Sequence, residues 1–349
     1  MKRVTISEVA EYAGVSKSTV SHVINHTRFV EEDTKQRVLE AIDTLGYRPS
    51  SIARSMVSKR TKTAGLLVSD VGNPFYSEVI LGVEEIARTQ GYNIFLCNTS
   101  YKIQRGMELI HSLIDKMVDG VLLMSSSMSM ELVDELHKHH IPAVVMDWES
   151  NKVNGKAASI SIQFSDGIRE AANYLYELGH RHFAHVSGPL HLWTACRRRD
   201  DFLNALEDRE IPPCDISIIE GNLRIDGGRE AMDAIMKLEQ RPTAIFAAND
   251  LTALGLLWAA NDYGLQVPDD LSLIGLDDIK LASQVTPPLT SVSLPRFEIG
   301  SLAMELLFDL ISSSENDHLD YSTLNKTVTT NLVIRKSTSK PPVYLHPTN

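Results

Sequence analysis

The sequence predicts two folds in series: an all-α helix-turn-helix head, then an α/β body of two doubly wound units. Three observations carry that expectation: the spacing of Ala10, Gly14 and Val20, a basic head set against an acidic remainder, and short apolar runs that alternate with amphipathic stretches from residue 62 onward. At 349 residues the chain is long enough for two or three domains, each with a core of its own. Hydrophobic residues at 43% and charged residues at 23% are globular proportions and exclude wholesale disorder or collagen-like repetition.

The head is read from its apolar spacing. Ile6, Val9, Ala10 and Ala13 recur at helical intervals, and Ser7 or Thr5 can cap the start. Gly14 supplies the positive φ of a tight interhelical turn, Ser16 can cap a second helix, and Val20 and Val23 form its inward face. A small residue, a glycine and a β-branched residue at these intervals make the helix-turn-helix pattern. A third helix runs from Val30-Glu31-Glu32-Asp33-Thr34 to Gly46, with Val38, Leu39, Ile42 and Leu45 as its apolar stripe. The following segment, Tyr47 to Met56, has Pro49 suited to the start of a helix too short to hold itself folded in water, so it needs a partner to fold against.

Charge separates head from body. Residues 1–60 hold 10 Lys and Arg against 7 Asp and Glu, which leaves 24 against 38 for the rest of a chain whose net charge is -11. A basic head on an acidic body points to nucleic acid as a partner of the head. Glu8 interrupts any apolar leader, no stretch reaches membrane-spanning length, and Cys97, Cys196 and Cys214 are odd in number and lack CxxC spacing. The expectation is a cytoplasmic protein with no membrane association, disulfide framework, metal or cofactor.

In the body, apolar runs of strand length occur at Ala64–Ser69, Tyr92–Cys97, Gly120–Met124, Pro142–Met146, Ala158–Ile162, His182–Val186, Ile216–Ile219, Ala244–Ala248 and Leu271–Leu276. Strand and helix in alternation read as parallel sheets covered on both faces. Nine runs are many for one sheet, and a break near residues 151–157 divides them into two α/β units with a ligand cleft at the strands' carboxyl ends.

Thr5-Ile6-Ser7-Glu8-Val9-Ala10-Glu11-Tyr12-Ala13-Gly14-Val15-Ser16-Lys17-Ser18-Thr19-Val20-Ser21, Val38-Leu39-Glu40-Ala41-Ile42, and Leu45-Gly46-Tyr47-Arg48-Pro49 with Ile52-Ala53-Arg54-Ser55 together resemble the lactose/galactose-repressor family of bacterial transcription regulators. Asn73-Pro74-Phe75, Gly179-His180, Val186-Ser187-Gly188-Pro189 with Arg198, Ala247-Ala248-Asn249-Asp250, Gly275-Leu276-Asp277-Asp278 and Pro287-Pro288-Leu289-Thr290 extend the resemblance over nearly the whole chain. It implies a helix-turn-helix DNA-binding domain over residues 1–49, a hinge helix and linker over 50–61, and a periplasmic-binding-protein-like body over 62–335. That body would comprise an N-subdomain (62–162 and 293–323) and a C-subdomain (163–292 and 324–335), with crossovers near 161–164, 290–295 and 322–328. Residues 336–349 are expected to be a flexible tail.

For DNA, the resemblance implies base reading by Lys17, Ser18 and His22, with Thr19, Ser21 and Asn25 nearer the phosphates. Thr5, Ser16, Tyr47, Ser50, Ala53 and Arg54 complete the DNA-facing set, and Met56 takes the place of the usual leucine wedge in the minor groove. His22 stands where many members carry Arg. For a small-molecule effector it implies Asn73, Phe75, Asp147, Thr194, Arg198, Leu223, Asn249, Asp277 and Arg296. The guanidinium of Arg198 can present a planar fork to vicinal hydroxyls or to a carboxylate, with Asp277 and Asn249 opposite it, an arrangement suited to a sugar or related polar metabolite. Leu223 replaces an aromatic of several sugar-binding members, for which Trp193 or Trp148 is a candidate substitute. Gln163-Phe164 replaces the usual Asp-Asn, a change that falls on either the inter-subdomain linker or the pocket floor.

In the run Leu136-His137-Lys138-His139-His140, His137 and His140 lie on one helical face with no carboxylate or thiolate partner identifiable nearby, so basic residues meeting a helix-end dipole are the expectation there. His180, His182 and His185 lie where capping or packing is expected. GxSxG, GxxxxGK[ST] and HExxH are all absent, which leaves an enzyme without a nucleophile. The resemblance implies a repressor acting as a homodimer on a pseudopalindrome, a dimer being favoured over a tetramer because no leucine heptads follow residue 335.

Overall fold

The computed structural model describes residues 4–25, 27–48, 60–124, 129–146, 155–313 and 324–342. Within them the chain divides into two compact units, residues 1–62 and residues 63–349.

In the first unit, α1 (Ile6–Ala13) begins with a capping box in which the Thr5 side chain accepts from the Glu8 amide and Glu8 reaches back to the Thr5 amide. Thr5, and not Ser7, is therefore the cap. Gly14 ends the helix at φ 66 and turns the chain into α2 (Lys17–Asn25), which Ser16 caps by accepting the Thr19 amide at 3.1 Å. α3 (Glu32–Leu45) ends at Gly46, φ 62. Val9, Ala10, Ala13, Val20, Val23, Val38 and Ala41 form the core. Leu39, expected in the inward stripe, is 50% exposed. It lies about 100° around the helix from Val38, and the small Ala41 faces inward and lets the helices approach.

The second unit contains two six-stranded sheets. The first is built from β1 (Thr63–Val68), β2 (Asn93–Asn98), β3 (Gly120–Met124), β4 (Ala143–Met146), β5 (Ala158–Gln163) and β11 (Asn325–Thr329), in the spatial order β11-β5-β4-β3-β1-β2. The second uses β6 (Phe183–Ser187), β7 (Ile216–Glu220), β8 (Ala244–Ala247), β9 (Ser272–Asp277), β10 (Thr290–Ser293) and β12 (Asn331–Val333), in the order β12-β10-β9-β8-β6-β7. Every pairing is parallel except β10 with β12, so the intervening helices must cover both faces. These helices are α4 (Phe75–Thr89), α5 (Ile103–Asp115), α6 (Met130–Lys138), α7 (Phe164–Leu178), α8 (Trp193–Glu207), α9 (Ile225–Ile235), α10 (Asp250–Asp262) and α11 (Arg296–Ser313). Burial of the strands on both sides explains their continuous apolar runs, as in β3 and β8.

Three features differ from the sequence expectations. β5 belongs to the first sheet, so the division falls after Gln163, within the 161–164 crossover that the resemblance implies and not in the 151–157 break. β11 pairs with β5, so residues 325–329 lie with the first sheet instead of the C-subdomain, and the return to the second sheet occurs at Thr330. Residues 336–342 are not a loose tail: Ser337 is fully buried, its hydroxyl bonds the Leu273 carbonyl, and the Leu273 amide bonds the Ser337 carbonyl at 2.8 Å. Ser339 adds bonds to Ser272 and to the buried His180. Three prolines near the end read as a breaker of structure, whereas the serines between β12 and those prolines satisfy backbone groups of β9. No helix among the described residues is long and apolar enough to cross a membrane.

Candidate functional site

The head presents its candidate residues on α2. Lys17 and Ser18 are exposed on its first turn, and helical periodicity places Ser18, Ser21, His22 and Asn25 away from the buried Val20 and Val23. The hydroxyls are organised among themselves: Ser16 Oγ lies 2.7 Å from Ser18 Oγ and 2.8 Å from Thr19 Oγ1, and Asn25 donates to Ser21 Oγ at 3.2 Å. His22 Nδ1 lies 2.8 Å from Thr27 Oγ1. Thr5 is occupied by its capping box, and Tyr47 packs against the head core. Ser50, Ala53, Arg54 and Met56, and with them the hinge segment, lie outside the described residues.

In the second unit the carboxyl ends of strands from both sheets converge on one cavity of about 50 Å³. From the first sheet come Asn73, Phe75 and Tyr76 beyond β1, Tyr101 beyond β2, and Met124, Met146 and Ile162 at the ends of β3, β4 and β5. From the second come Thr194, Arg198, Leu223, Asn249 and Asp277. Parallel α/β sheets gather ligand-binding groups at this edge because the loops after the strands meet there. A space of this size holds a few water-sized molecules, and a sugar or nucleobase needs the two sheets to part further.

Arg198 is the cavity's cation. Its Nη1 donates to the Ala248 carbonyl at 3.0 Å, its guanidinium lies 4.4 Å over the Phe164 ring, and its buried Nε has no partner among the described residues. Phe164 thus supports Arg198 from behind without lining the cavity, while the Gln163 carbonyl accepts from Thr330 Oγ1 at 2.8 Å where the chain crosses between sheets. The Gln163-Phe164 change therefore bears on the linker and on the support of Arg198. Asp277, at the end of β9, is buried with φ 111; burial pushes its carboxyl up to about 7 against the pull of Arg198 and Arg296. Asp250 beneath it is raised well above its ordinary value by burial and by Asp277, and accepts from Ser291 Oγ of β10 (2.6 Å) and from the Ile279 amide in the loop after β9 (2.8 Å). Burial raises the Tyr76 phenol to about 12 despite its bond to Ser69.

Two expected site residues serve the frame. Asn249 lines the cavity, but its Oδ1 caps α10 through the Thr252 amide (2.9 Å) and its Nδ2 donates to the Leu223 carbonyl (2.9 Å), so it is not poised opposite Arg198 as expected. Arg296 does not line the cavity. It stands behind Asp277, donates to that residue's carbonyl oxygen, and pairs with Glu78 at 3.0 Å. Asp147 and Trp148 lie outside the described residues, and Trp193 sits under Arg197 at 5.3 Å, away from the cavity lining. Tyr76, Tyr101, Met124, Met146 and Ile162 were missed by the sequence reading; the signal that could have found them is their position at or just beyond the end of each parallel strand.

The mouth of the cleft is bridged by an ion pair between the two sheets: Asp70, beyond β1, meets Arg224, beyond β7, at 2.7 Å. Outside it lies a groove lined by Gly72, Ile225, Asp226 and Arg229. Elsewhere, His185 is buried against Phe202 and Phe246 with Nδ1 on the Phe246 carbonyl, and burial lowers it to about 4. His180 bonds Thr243 and Ser339. Glu135 does engage His139 (3.2 Å) and His111 (3.6 Å), a carboxylate partner that the sequence reading overlooked, and no group of three metal-ligating residues occurs among the described residues.

Residues 5–50 match the family model of bacterial regulatory proteins of the lacI family, and residues 172–338 match that of the periplasmic binding protein-like domain. The HTH-type transcriptional repressor PurR of Vibrio atlanticus is 41% identical over 314 residues, covering 90% of this chain and 93% of its own. The chain belongs to the LacI family. Its fold agrees with the lac repressor dimer bound to operator and the anti-inducer ONPF, at TM-score 0.82 and 26% identity over 97% of this chain and all of that one. The transcriptional regulator CelR in complex with cellobiose is similar at TM-score 0.71 and 30% identity, covering 96% of this chain and 100% of its own. This LacI-family chain is a DNA-binding transcriptional repressor controlled by a small-molecule effector, and not an enzyme.

Proposed function

We propose that this repressor works in the cytoplasm as a homodimer on a pseudopalindromic operator, and that its effector is a sugar or closely related polar metabolite bound in the cavity between the two sheets. In this reading Lys17, Ser18 and His22 read bases, Thr19, Ser21 and Asn25 meet the phosphates, and residues 50–61 link the head to the body. The observation that carries the effector assignment is the buried, unpartnered Nε of Arg198 in a cavity it shares with Asp277, whose carboxyl at about 7 can either donate or accept. Phe75, Tyr76 and Tyr101 supply the apolar and aromatic wall that Leu223 does not.

The homodimer is supported by the apolar residues exposed along the first sheet's outer edge. Leu81 on α4 and Phe95 and Leu96 on the edge strand β2 are exposed apolar side chains that a second copy would cover. The effector acts by population shift: it favours one separation of the sheets and so biases the geometry of the head.

The test is a thermal-shift screen of the full chain against sugars, sugar phosphates, nucleosides and nucleobases, followed by operator binding with each hit. A stabilising sugar that also changes operator affinity, with both effects lost in Arg198→Ala, is the expected result. Stabilisation by nucleobases alone overturns the sugar assignment.

A further inference from the structure

We propose that Thr27 is a positioning residue for DNA reading: it holds the His22 ring so that Nε2–H faces the groove and reads the acceptor edge of a guanine. The inference rests on the proposed reading of bases by α2.

His22 lies in the last turn of α2, and Thr27, two residues beyond the helix end at Asn25, reaches back to it with Oγ1 2.8 Å from Nδ1. A neutral imidazole on an exposed helix surface has two tautomers and two ring orientations, and each presents a different atom to a base. The Thr27 bond selects among these by engaging Nδ1, which leaves Nε2 as the outward atom. In this proposal the Thr27 hydroxyl is the donor to Nδ1, 2.8 Å away, and the ring proton resides on Nε2.

A single outward N–H donor has a definite preference in the major groove. Guanine offers two adjacent acceptors, N7 and O6, which one N–H can share. Adenine sets its N7 beside a donor amine, thymine offers the single acceptor O4 beside its methyl, and cytosine presents a donor amine there. His22 so held therefore favours guanine without the bidentate fork that an arginine would bring. Neither His22 nor Thr27 is needed for the head core, which is built from other residues.

The experiment selects duplexes from a randomised library with the full chain, its Thr27→Val and Thr27→Ser variants, and His22→Ala. Thr27→Val keeps the shape and removes the hydroxyl; Thr27→Ser keeps the hydroxyl. The wild type should prefer guanine at one base pair per half-site by about tenfold, a preference of the size expected for a base contact. His22→Ala and Thr27→Val should flatten that position alone, and Thr27→Ser should restore it. In parallel, ¹⁵N NMR of the free protein should report the Nε2–H tautomer of His22 in the wild type and a mixture in Thr27→Val. An unchanged base profile in Thr27→Val, an equal loss at every position, or an Nδ1–H tautomer overturns the proposal. If His22→Ala leaves every base preference intact, base reading by His22 falls with it; if only Thr27→Val is silent, that reading stands and the positioning role alone is lost.

Discussion

The pair across the mouth of the cleft should set how firmly the two sheets close. Asp70→Asn is a confined perturbation: Asp70 Oδ1 accepts the Gly72 amide at 3.0 Å, a bond an asparagine oxygen can keep, while Oδ2, which meets Arg224, loses its charge. The side chains are unequally buried, Asp70 being 18% and Arg224 52% exposed, so solvent screens much of the attraction. A contact of this kind contributes about 0.5 to 1 kcal/mol, a two- to fivefold shift in favour of the open cleft on removal. A ligand held by the closed form should therefore leave about two to five times faster, with the loss concentrated in the dissociation rate. The assay is stopped-flow dissociation of an identified ligand from the wild type, Asp70→Asn, Arg224→Gln and the double variant. The cycle should show coupling that shrinks as salt is raised. Zero coupling, or coupling indifferent to salt, refutes the view that this pair contributes to closure.

Further outcomes follow from the same geometry. Because Asp277 titrates near 7 in the folded protein and near 3.8 when unfolded, the native state holds a proton that the unfolded chain has released between those values. Its stabilising contribution is complete below pH 4 and is lost as pH rises through 7, by a few kcal/mol at most. Urea midpoints against pH should be flatter for Asp277→Asn than for the wild type, and parallel profiles would remove the assignment. Gly300→Ala should cost about 3 kcal/mol by urea denaturation, since a methyl there meets the Val79 carbonyl where α4 and α11 cross most closely; a loss near zero would mean the crossing can relax. Lys17→Ala should weaken operator binding by about 2 kcal/mol while scrambled duplex is bound almost as before, measured by fluorescence anisotropy; equal losses would make Lys17 a phosphate contact.

The strands were legible where burial on both faces demands apolar side chains, as in the GVLLM run of β3 and the AIFA run of β8. β10, β11 and β12 were not, because TSVS, NKTVT and NLV are short and mostly polar, and sit where the chain passes between sheets or at an edge. Arg198, Thr194, Asp277 and Leu223 were identified from motif resemblance and reach the cavity. Arg296 was named for the same reason, yet its guanidinium is taken up by Glu78 and the Asp277 carbonyl, a partnership between residues far apart in sequence that no local pattern encodes. The aromatic wall escaped notice because Tyr76 and Tyr101 carry no motif of their own; only the positions of the strand ends bring them together.

The double engagement of Asn249 constrains any attempt to give this repressor a new ligand. One carboxamide both starts a helix and suspends the Leu223 peptide, so replacing it to gain a contact would let a wall sag and spread the damage beyond the intended position. Libraries aimed at altered response are better begun at Thr194, since Met124, Met146 and Ile162 lend surface to the chamber and are at the same time packed in the core.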